Sequence, residues 1–273
     1  MSLEGKVIAI TRPERQAPEL VKLVSKLGGK PYVVPTVEIK PPRNRRSITR
    51  LINKILDEQI DFVIFMSING VAGLIESSEN LELKANFLEK LDRATIVAVG
   101  PKTRKEFEKH GVKVDIVPLR YSSEGIAESL KKLNIKGKTV AIPRSSKSSK
   151  YLTQELEKLG ANVLEVPIYE CTLPTDRSKV LAFINDLLKG KIDVLTFTSS
   201  FTARNLFEIA SEYAMIDEFR ESLAKPIIAA IGSTTQRTLE ELGVKVDVVP
   251  KEYTIEAMMD AVVRHVCHDR NSR

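Results

Sequence analysis

Short runs of apolar, mostly β-branched residues punctuate this chain, and between them apolar residues recur every three or four positions among charged ones. The runs Val7 to Thr11, Asp61 to Met66, Thr95 to Val99, Thr139 to Ile142, Val163 to Tyr169, Asp193 to Thr198 and Ile227 to Ile231 predict strands, as do Lys113 to Val117 and Lys245 to Val249. Two of them, Asp61 to Met66 and Asp193 to Thr198, show little alternation, the pattern of a strand covered by helices on both faces. Leu20, Leu23, Val24 and Leu27 lie on one helical face and lead to Gly28, a good C-cap; Leu152, Leu156 and Leu159 lead likewise to Gly160. Strand and helix alternate throughout, which predicts doubly wound α/β domains on parallel sheets.

The pattern is written twice. At an offset of 132 residues, without a gap, Gly5-Lys6 meets Gly137-Lys138, Arg12 meets Arg144, Pro35 meets Pro167, Asp61 meets Asp193, Ser67 meets Ser199 and Gly100 meets Gly232. Between Ala94–Tyr121 and Pro226–Tyr253, 13 of 28 pairs are identical, where ordinary composition gives roughly two. The chain is therefore an internal duplication of one domain-sized unit, and periodicity alone divides it near residue 135.

In doubly wound sheets ligands bind beyond the carboxyl ends of the strands. The turns there read Thr11-Arg12-Pro13, Ser67-Ile68-Asn69-Gly70, Gly100-Pro101-Lys102-Thr103, Tyr121-Ser122-Ser123, Arg144-Ser145-Ser146, Thr198-Ser199-Ser200, Gly232-Ser233-Thr234-Thr235 and Tyr253-Thr254. Small hydroxyl residues predominate. Each of them is also a good helix N-cap, but several helix N-termini together suit carboxylates or phosphates.

Composition narrows the chemistry. At 273 residues, 42% hydrophobic and 29% charged, the chain has the make-up of two soluble domains. No run of 18 apolar residues and no signal-peptide pattern occurs, so no membrane insertion and a cytoplasmic location are expected. The net charge of +6 favours an anionic partner. Nucleic acid is one candidate, yet Trp is absent and the basic residues are not interleaved with stacking aromatics, so a small polyanion fits as well and no nucleic acid is expected. Cys171 and Cys267 stand in unrelated contexts, and His265, Cys267 and His268 near the C-terminus fall short of a ligand set, so neither a disulfide nor a metal is expected. No dinucleotide fingerprint occurs, and Gly137-Lys138-Thr139 lacks the first glycine of a P-loop, which argues against nucleotide hydrolysis.

A duplicated scaffold bound to an asymmetric ligand should lose its symmetry at the ligand. Here Ser67-Ile68-Asn69-Gly70 faces Ser199-Ser200-Phe201-Thr202, Pro101-Lys102 faces Ser233-Thr234, and Val37 faces Tyr169. Tyr169 closes a strand, where an aromatic has a packing role open to it; its phenol is also a proton donor for a leaving group.

The segments VIAITRPERQAPELVKLVSKLGGKPYVVPTVEI, DFVIFMSINGV, DVLTFTSSFTARNLFE, LEVPIYECTLP and IIAAIGSTTQRTLEELGVKV, in that order, resemble the uroporphyrinogen-III synthase family from about Lys6 to Val262. The resemblance implies two α/β domains joined by a two-stranded linker. Domain one would comprise residues 1–38 and 173–273, domain two residues 39–172, and the linker strands about 34–40 and 166–173. It implies cyclisation of hydroxymethylbilane, a linear tetrapyrrole rich in carboxylates, to uroporphyrinogen III, with loss of water and inversion of ring D through a spiro intermediate and with no cofactor. It places the family's Tyr on Tyr169 as proton donor, its turn threonine on Thr235 beside Thr234, and its strand-end hydroxyls on Thr198-Ser199, with Met66-Ser67 in the first copy. Arg12, Lys102, Thr103, Arg144, Ser145, Ser200 and Tyr253 are further candidates for carboxylate contact. A monomer, with transient hand-over from hydroxymethylbilane synthase, completes the expectation. The rival reading is a non-catalytic two-domain binder of a small polyanion or tetrapyrrole.

Overall fold

The computed structural model describes residues 2–146 and 149–271, with side chains as far as Cys267 in the last helix. In chain order the elements are β1 (Val7–Ile10), α1 (Ala17–Lys26), β2 (Lys30–Val33), β3 (Glu38–Lys40), α2 (Arg46–Leu56), β4 (Phe62–Phe65), α3 (Ile68–Asn80), α4 (Lys84–Leu91), β5 (Thr95–Ala98), α5 (Pro101–Glu108) and α6 (Ser123–Lys131). They continue with β6 (Thr139–Ser145), α7 (Tyr151–Lys158), β7 (Asn162–Thr172), α8 (Ser178–Leu188), β8 (Val194–Phe197), α9 (Ser200–Glu212), α10 (Ile216–Ser222), β9 (Ile227–Ala230), α11 (Ser233–Glu241) and α12 (Ile255–Asn271). Two compact units result: the first is Met1–Glu38 with Thr172–Arg273, the second Ile39–Cys171. Among the described residues no helix is long and apolar enough to cross a membrane.

The first unit holds a four-stranded sheet in the order β2-β1-β8-β9, its ladders parallel. The second holds five strands in the order β3-β7-β6-β4-β5, with β7-β6, β6-β4 and β4-β5 parallel. Each sheet is assembled from both copies of the duplication. β1 of the first copy lies against β8 of the second, Ile8 opposite Val194, and β6 of the second copy lies against β4 of the first, Phe62 opposite Val140. The carboxylates of Asp193 and Asp61 clamp the two junctions, each accepting from a strand amide (Val7 and Thr139) and a lysine (Lys6 and Lys138).

Alternation along the strands builds a core on each face. In the first unit Ala9, Leu195 and Phe197 join Phe183 and Leu206 on one side, while Ile8, Ile10 and Val194 join Leu20, Met258 and Met259 on the other. In the second, Val63 and Phe65 pack with Leu74, Phe87 and Phe107, and Phe62 and Ile64 with Ile126 and Leu152. β4 and β8 are buried at every position, which is why their sequences hardly alternate.

Two expected strands dissolve into single bridges. The segments around Lys113–Val117 and Lys245–Val249 each touch the sheet once, Val97 with Ile116 and Ala229 with Val248. Asp115 and Asp247 explain it: their carboxylates take the amides of Ile96 and Ile228 at 2.8 and 2.9 Å, displacing the backbone acceptor a full ladder would offer. The second copy's β7 is one strand of 11 residues. Its counterpart breaks into β2 and β3, because Thr36 turns its hydroxyl onto the Thr202 carbonyl and its own carbonyl accepts from Asn205.

Candidate active site

Candidates from the second unit lie where β4, β5 and β6 end and on β7, where Tyr169 does not close the strand as expected, since β7 runs on to Thr172. Ser67 leaves β4 and caps α3, its Oγ accepting from the Gly70 amide at 3.2 Å. The Tyr169 hydroxyl lies 3.0 Å from that same Oγ. The Gly70 N–H occupies one lone pair of Ser67 Oγ, so the hydroxyl keeps a second lone pair and its own proton and can either accept from the phenol or donate to it. Gly70 packs closely, since a Cβ there would stand 3.0 Å from the Pro143 carbonyl oxygen, a tight contact that the strand would have to relieve by a few tenths of an ångström. Burial pushes the Tyr169 phenol above its ordinary range; hydrogen bonds from Ser67 and Asn69 and the field of Arg144 oppose that shift, while Cys171 adds to it. Tyr169 is therefore protonated across neutral pH, a donor whose conjugate base Ser67 and Asn69 are placed to stabilise.

Arg144, at the end of β6, is 7% exposed and donates from Nη1 to Glu165 Oε1 at 2.9 Å. Glu165 also accepts from Lys150 and from the Thr153 hydroxyl on α7. Burial raises the Glu165 carboxyl, and these donors outweigh it, holding the group below the usual carboxylate range. Ser145 sits beside Tyr169 in the β6-β7 ladder. Lys102 is exposed in the first turn of α5, but its neighbour Thr103 is buried.

In the first unit Thr198 and Ser199 follow β8. Ser199 caps α9 by accepting from Thr202 N at 3.3 Å, and Ser200 donates to the Thr234 carbonyl at 3.3 Å. Thr234 is exposed, whereas Thr235 is 4% exposed and points into the core, as Thr103 does at the equivalent place in the other unit. Tyr253 lies across Gly232, where a Cβ would meet the ring at 2.9 Å, and its hydroxyl is 3.1 Å from Ser233 Oγ. Arg12 is mostly buried beside Glu19, Nη1 to Oε2 3.6 Å; burial lowers its guanidinium and Glu19, then Glu256, oppose this. Thus Tyr169, Ser67, Ser145, Arg144, Lys102 and Thr103 belong to one unit, and Arg12, Thr198, Ser199, Ser200, Thr234, Thr235 and Tyr253 to the other.

Sequence reasoning missed Asn69, Glu165, Thr153 and Ser233. Asn69 and Ser233 sat in turns already marked by broken symmetry; Glu165 and Thr153 act through neighbours 12 to 21 residues away, which no local pattern reveals. Among the described residues no group of three or more His, Cys, Asp or Glu side chains is placed to hold a metal; the side chain of His268 lies outside them.

Comparison with known proteins bears on the family and the fold. A family model described as uroporphyrinogen-III synthase HemD matches residues 18–260. A Methanothermobacter thermautotrophicus protein provisionally named a uroporphyrinogen-III synthase is 39% identical over 256 residues, covering 93% of this chain and 96% of its own. The uroporphyrinogen-III synthase of Chlorobaculum parvum is 30% identical over 250 residues, covering 91% and 94%. A crystal structure of a mutant uroporphyrinogen III synthase from Thermus thermophilus superposes with a TM-score of 0.61 at 23% identity, over 97% of this chain and 100% of that one, and so shares the fold. On the extent of these matches, this chain belongs to the uroporphyrinogen-III synthase family.

Proposed function

We propose that this member of a family of cyclising lyases of tetrapyrrole biosynthesis converts hydroxymethylbilane to uroporphyrinogen III, with Tyr169 as the proton donor. The contact between the Tyr169 hydroxyl and Ser67 at the carboxyl end of the sheet carries the reading. The phenol proton passes to the departing hydroxyl, the C–O bond breaks as water leaves, and the pyrrole nitrogen supplies the electrons, giving an azafulvene. Its carbon is attacked by the substituted position of ring D to form the spiro intermediate. Fragmentation and reclosure then invert that ring, and a proton lost from it returns to the phenolate. Because the intermediates are reactive, the protein's larger task is to hold the chain folded so that spiro attack outruns simple closure. Hydroxyls and backbone amides at the strand ends of each unit, with Arg12 and Lys102, suit a ligand rich in carboxylates; Arg144, held by Glu165, is less available to it.

The decisive assay supplies hydroxymethylbilane, oxidises the products and resolves the isomers. Isomer III in excess supports the proposal; isomer I at the rate seen without protein leaves only a binding role. A phenol held above its ordinary range is a modest acid, so Tyr169→Phe should slow turnover about tenfold to a hundredfold rather than abolish it. Unchanged turnover removes Tyr169 from the mechanism.

A further inference from the structure

Tyr169 reaches Ser67 only because the ladder beneath it is irregular. β6 and β7 pair step by step from Thr139 opposite Asn162 to Arg144 opposite Pro167, and then the register jumps, so that Ser145 faces Tyr169 and Ile168 is left over. Strict alternation would put Tyr169 on the side of Glu165, with Leu164, Val166 and Ile168 on the opposite face. Instead Tyr169 packs into the same core as Leu164, Val166 and Ile168, the core that α3 covers. A one-residue bulge re-aims a side chain in this way.

What fixes the bulge sits on its other side. Arg144 is the last residue before the jump, and its guanidinium is tied to Glu165 on β7, which Thr153 and Lys150 tie to α7. The Arg144 side chain is 8% exposed and the Glu165 side chain 16%. Arg144 Nε is buried with no hydrogen-bond partner. Arg12 Nε and Nη1 are likewise buried and unmatched, so this feature is common to both copies. Past the jump, the Ser146 amide donates to the Tyr169 carbonyl at 3.3 Å and closes the bulge. The duplication supplies the control. Arg12 occupies the place of Arg144, but Val33, Val21 and Val37 stand where Glu165, Thr153 and Tyr169 would be, and Arg12 instead meets Glu19 at 3.6 Å, with Glu256 acting from farther off. The anchor occurs in the copy that carries the tyrosine.

We infer that Arg144, Glu165 and Thr153 form a positioning device that pins the bulge and thereby aims the Tyr169 hydroxyl at Ser67. The inference rests on the proposed role of Tyr169 as proton donor. Three variants of the full chain test it in steady-state turnover of hydroxymethylbilane: Glu165→Gln, Tyr169→Phe and both together. Glu165→Gln, which keeps the shape and an acceptor oxygen, should lower kcat about tenfold with KM little changed, the size of effect that a misplaced reacting group produces. In the Tyr169→Phe background the same change should have almost no further effect on kcat. Equal losses in both backgrounds, or a wild-type kcat for Glu165→Gln, overturn the positioning role. Unchanged kcat for Tyr169→Phe instead overturns the proton-donor reading, whatever Glu165 does. If Glu165→Gln fails to fold, Thr153→Val, which removes a single contact from α7, replaces it in the same cycle with the same two outcomes.

Discussion

Replacing Gly73 by alanine sets two well-characterised effects against each other. Gly73 lies in the interior of α3, where alanine gains about 1 kcal/mol of helix propensity. Against this, a Cβ on Gly73 would stand 2.7 Å from Ile168 Cγ2, about 1 Å inside the optimal separation of two carbon atoms. Ile168 is 1% exposed, and its Cγ2 is borne on a stiff β-branched carbon, so the methyl moves only if the rotamer flips or the backbone shifts. Overpacking of this kind costs about 1–3 kcal/mol. Sterics should win, with a net loss of about 1 kcal/mol and a fall in Tm of about 3 °C. Because Ile168 is the bulged residue beside Tyr169, kcat should fall as well. The first unit shows that the space can be organised otherwise: Asn205 occupies the equivalent place and donates to the Thr36 carbonyl at 2.8 Å. Calorimetry and the isomer-resolved turnover assay read the two quantities on one preparation, and the cost of Gly73→Ala should shrink in an Ile168→Ala background, where the methyl is absent. A rise in Tm, as propensity alone would give, refutes the steric reasoning; a fall in Tm with kcat intact refutes its link to the site.

Gly125→Ala should be far harsher, because its Cβ would lie 2.0 Å from the backbone oxygen of Arg120; urea titration should show several kcal/mol lost, or no folded protein. Phe107→Ala empties a fully buried site and removes an edge contact with Phe65 at 4.6 Å between ring centroids, and should cost about 3–5 kcal/mol in the same titration. The raised phenol of Tyr169 predicts turnover without a tyrosine-dependent fall until the pH exceeds about 10; a basic limb near neutrality that Tyr169→Phe abolishes would contradict it. Glu165 is depressed in the folded state, so its stabilisation is present above the unfolded value of about 4.3 and is lost as pH falls through the lower folded value. The stability gap between the wild type and Glu165→Gln should therefore close in acid, and a gap that is constant from pH 7 to pH 3 would refute this.

The alternation of short apolar runs with amphipathic stretches was enough to read parallel α/β architecture, since a strand buried on both faces has few other sequences open to it. The duplication was equally plain, and its break at Val37 and Tyr169 led to the contact with Ser67. Other features lie beyond local pattern. Lys113–Val117 has strand composition, yet Asp115 spends its carboxylate on the neighbouring amide and ends the ladder. Thr103 and Thr235 look like exposed helix-start hydroxyls, but helical phase turns both into the core. Glu165 reads as one polar residue in a strand, and only the fold shows that it meets Arg144, Lys150 and Thr153.

The exchange of strands between the two copies also sets an order on biosynthesis. The second unit is one contiguous stretch, Ile39–Cys171, so all its strands can have left the ribosome while the first unit is still incomplete. β1 must wait for β8: the Val7 amide finds its acceptor in Asp193, 186 residues downstream. At ordinary translation speeds that is roughly 10–40 s during which an apolar strand, paired at most with β2, exposes a bare edge. Slow codons between residues 40 and 190 would lengthen that interval, and a chaperone that shields nascent strands would matter most for the first forty residues of the chain.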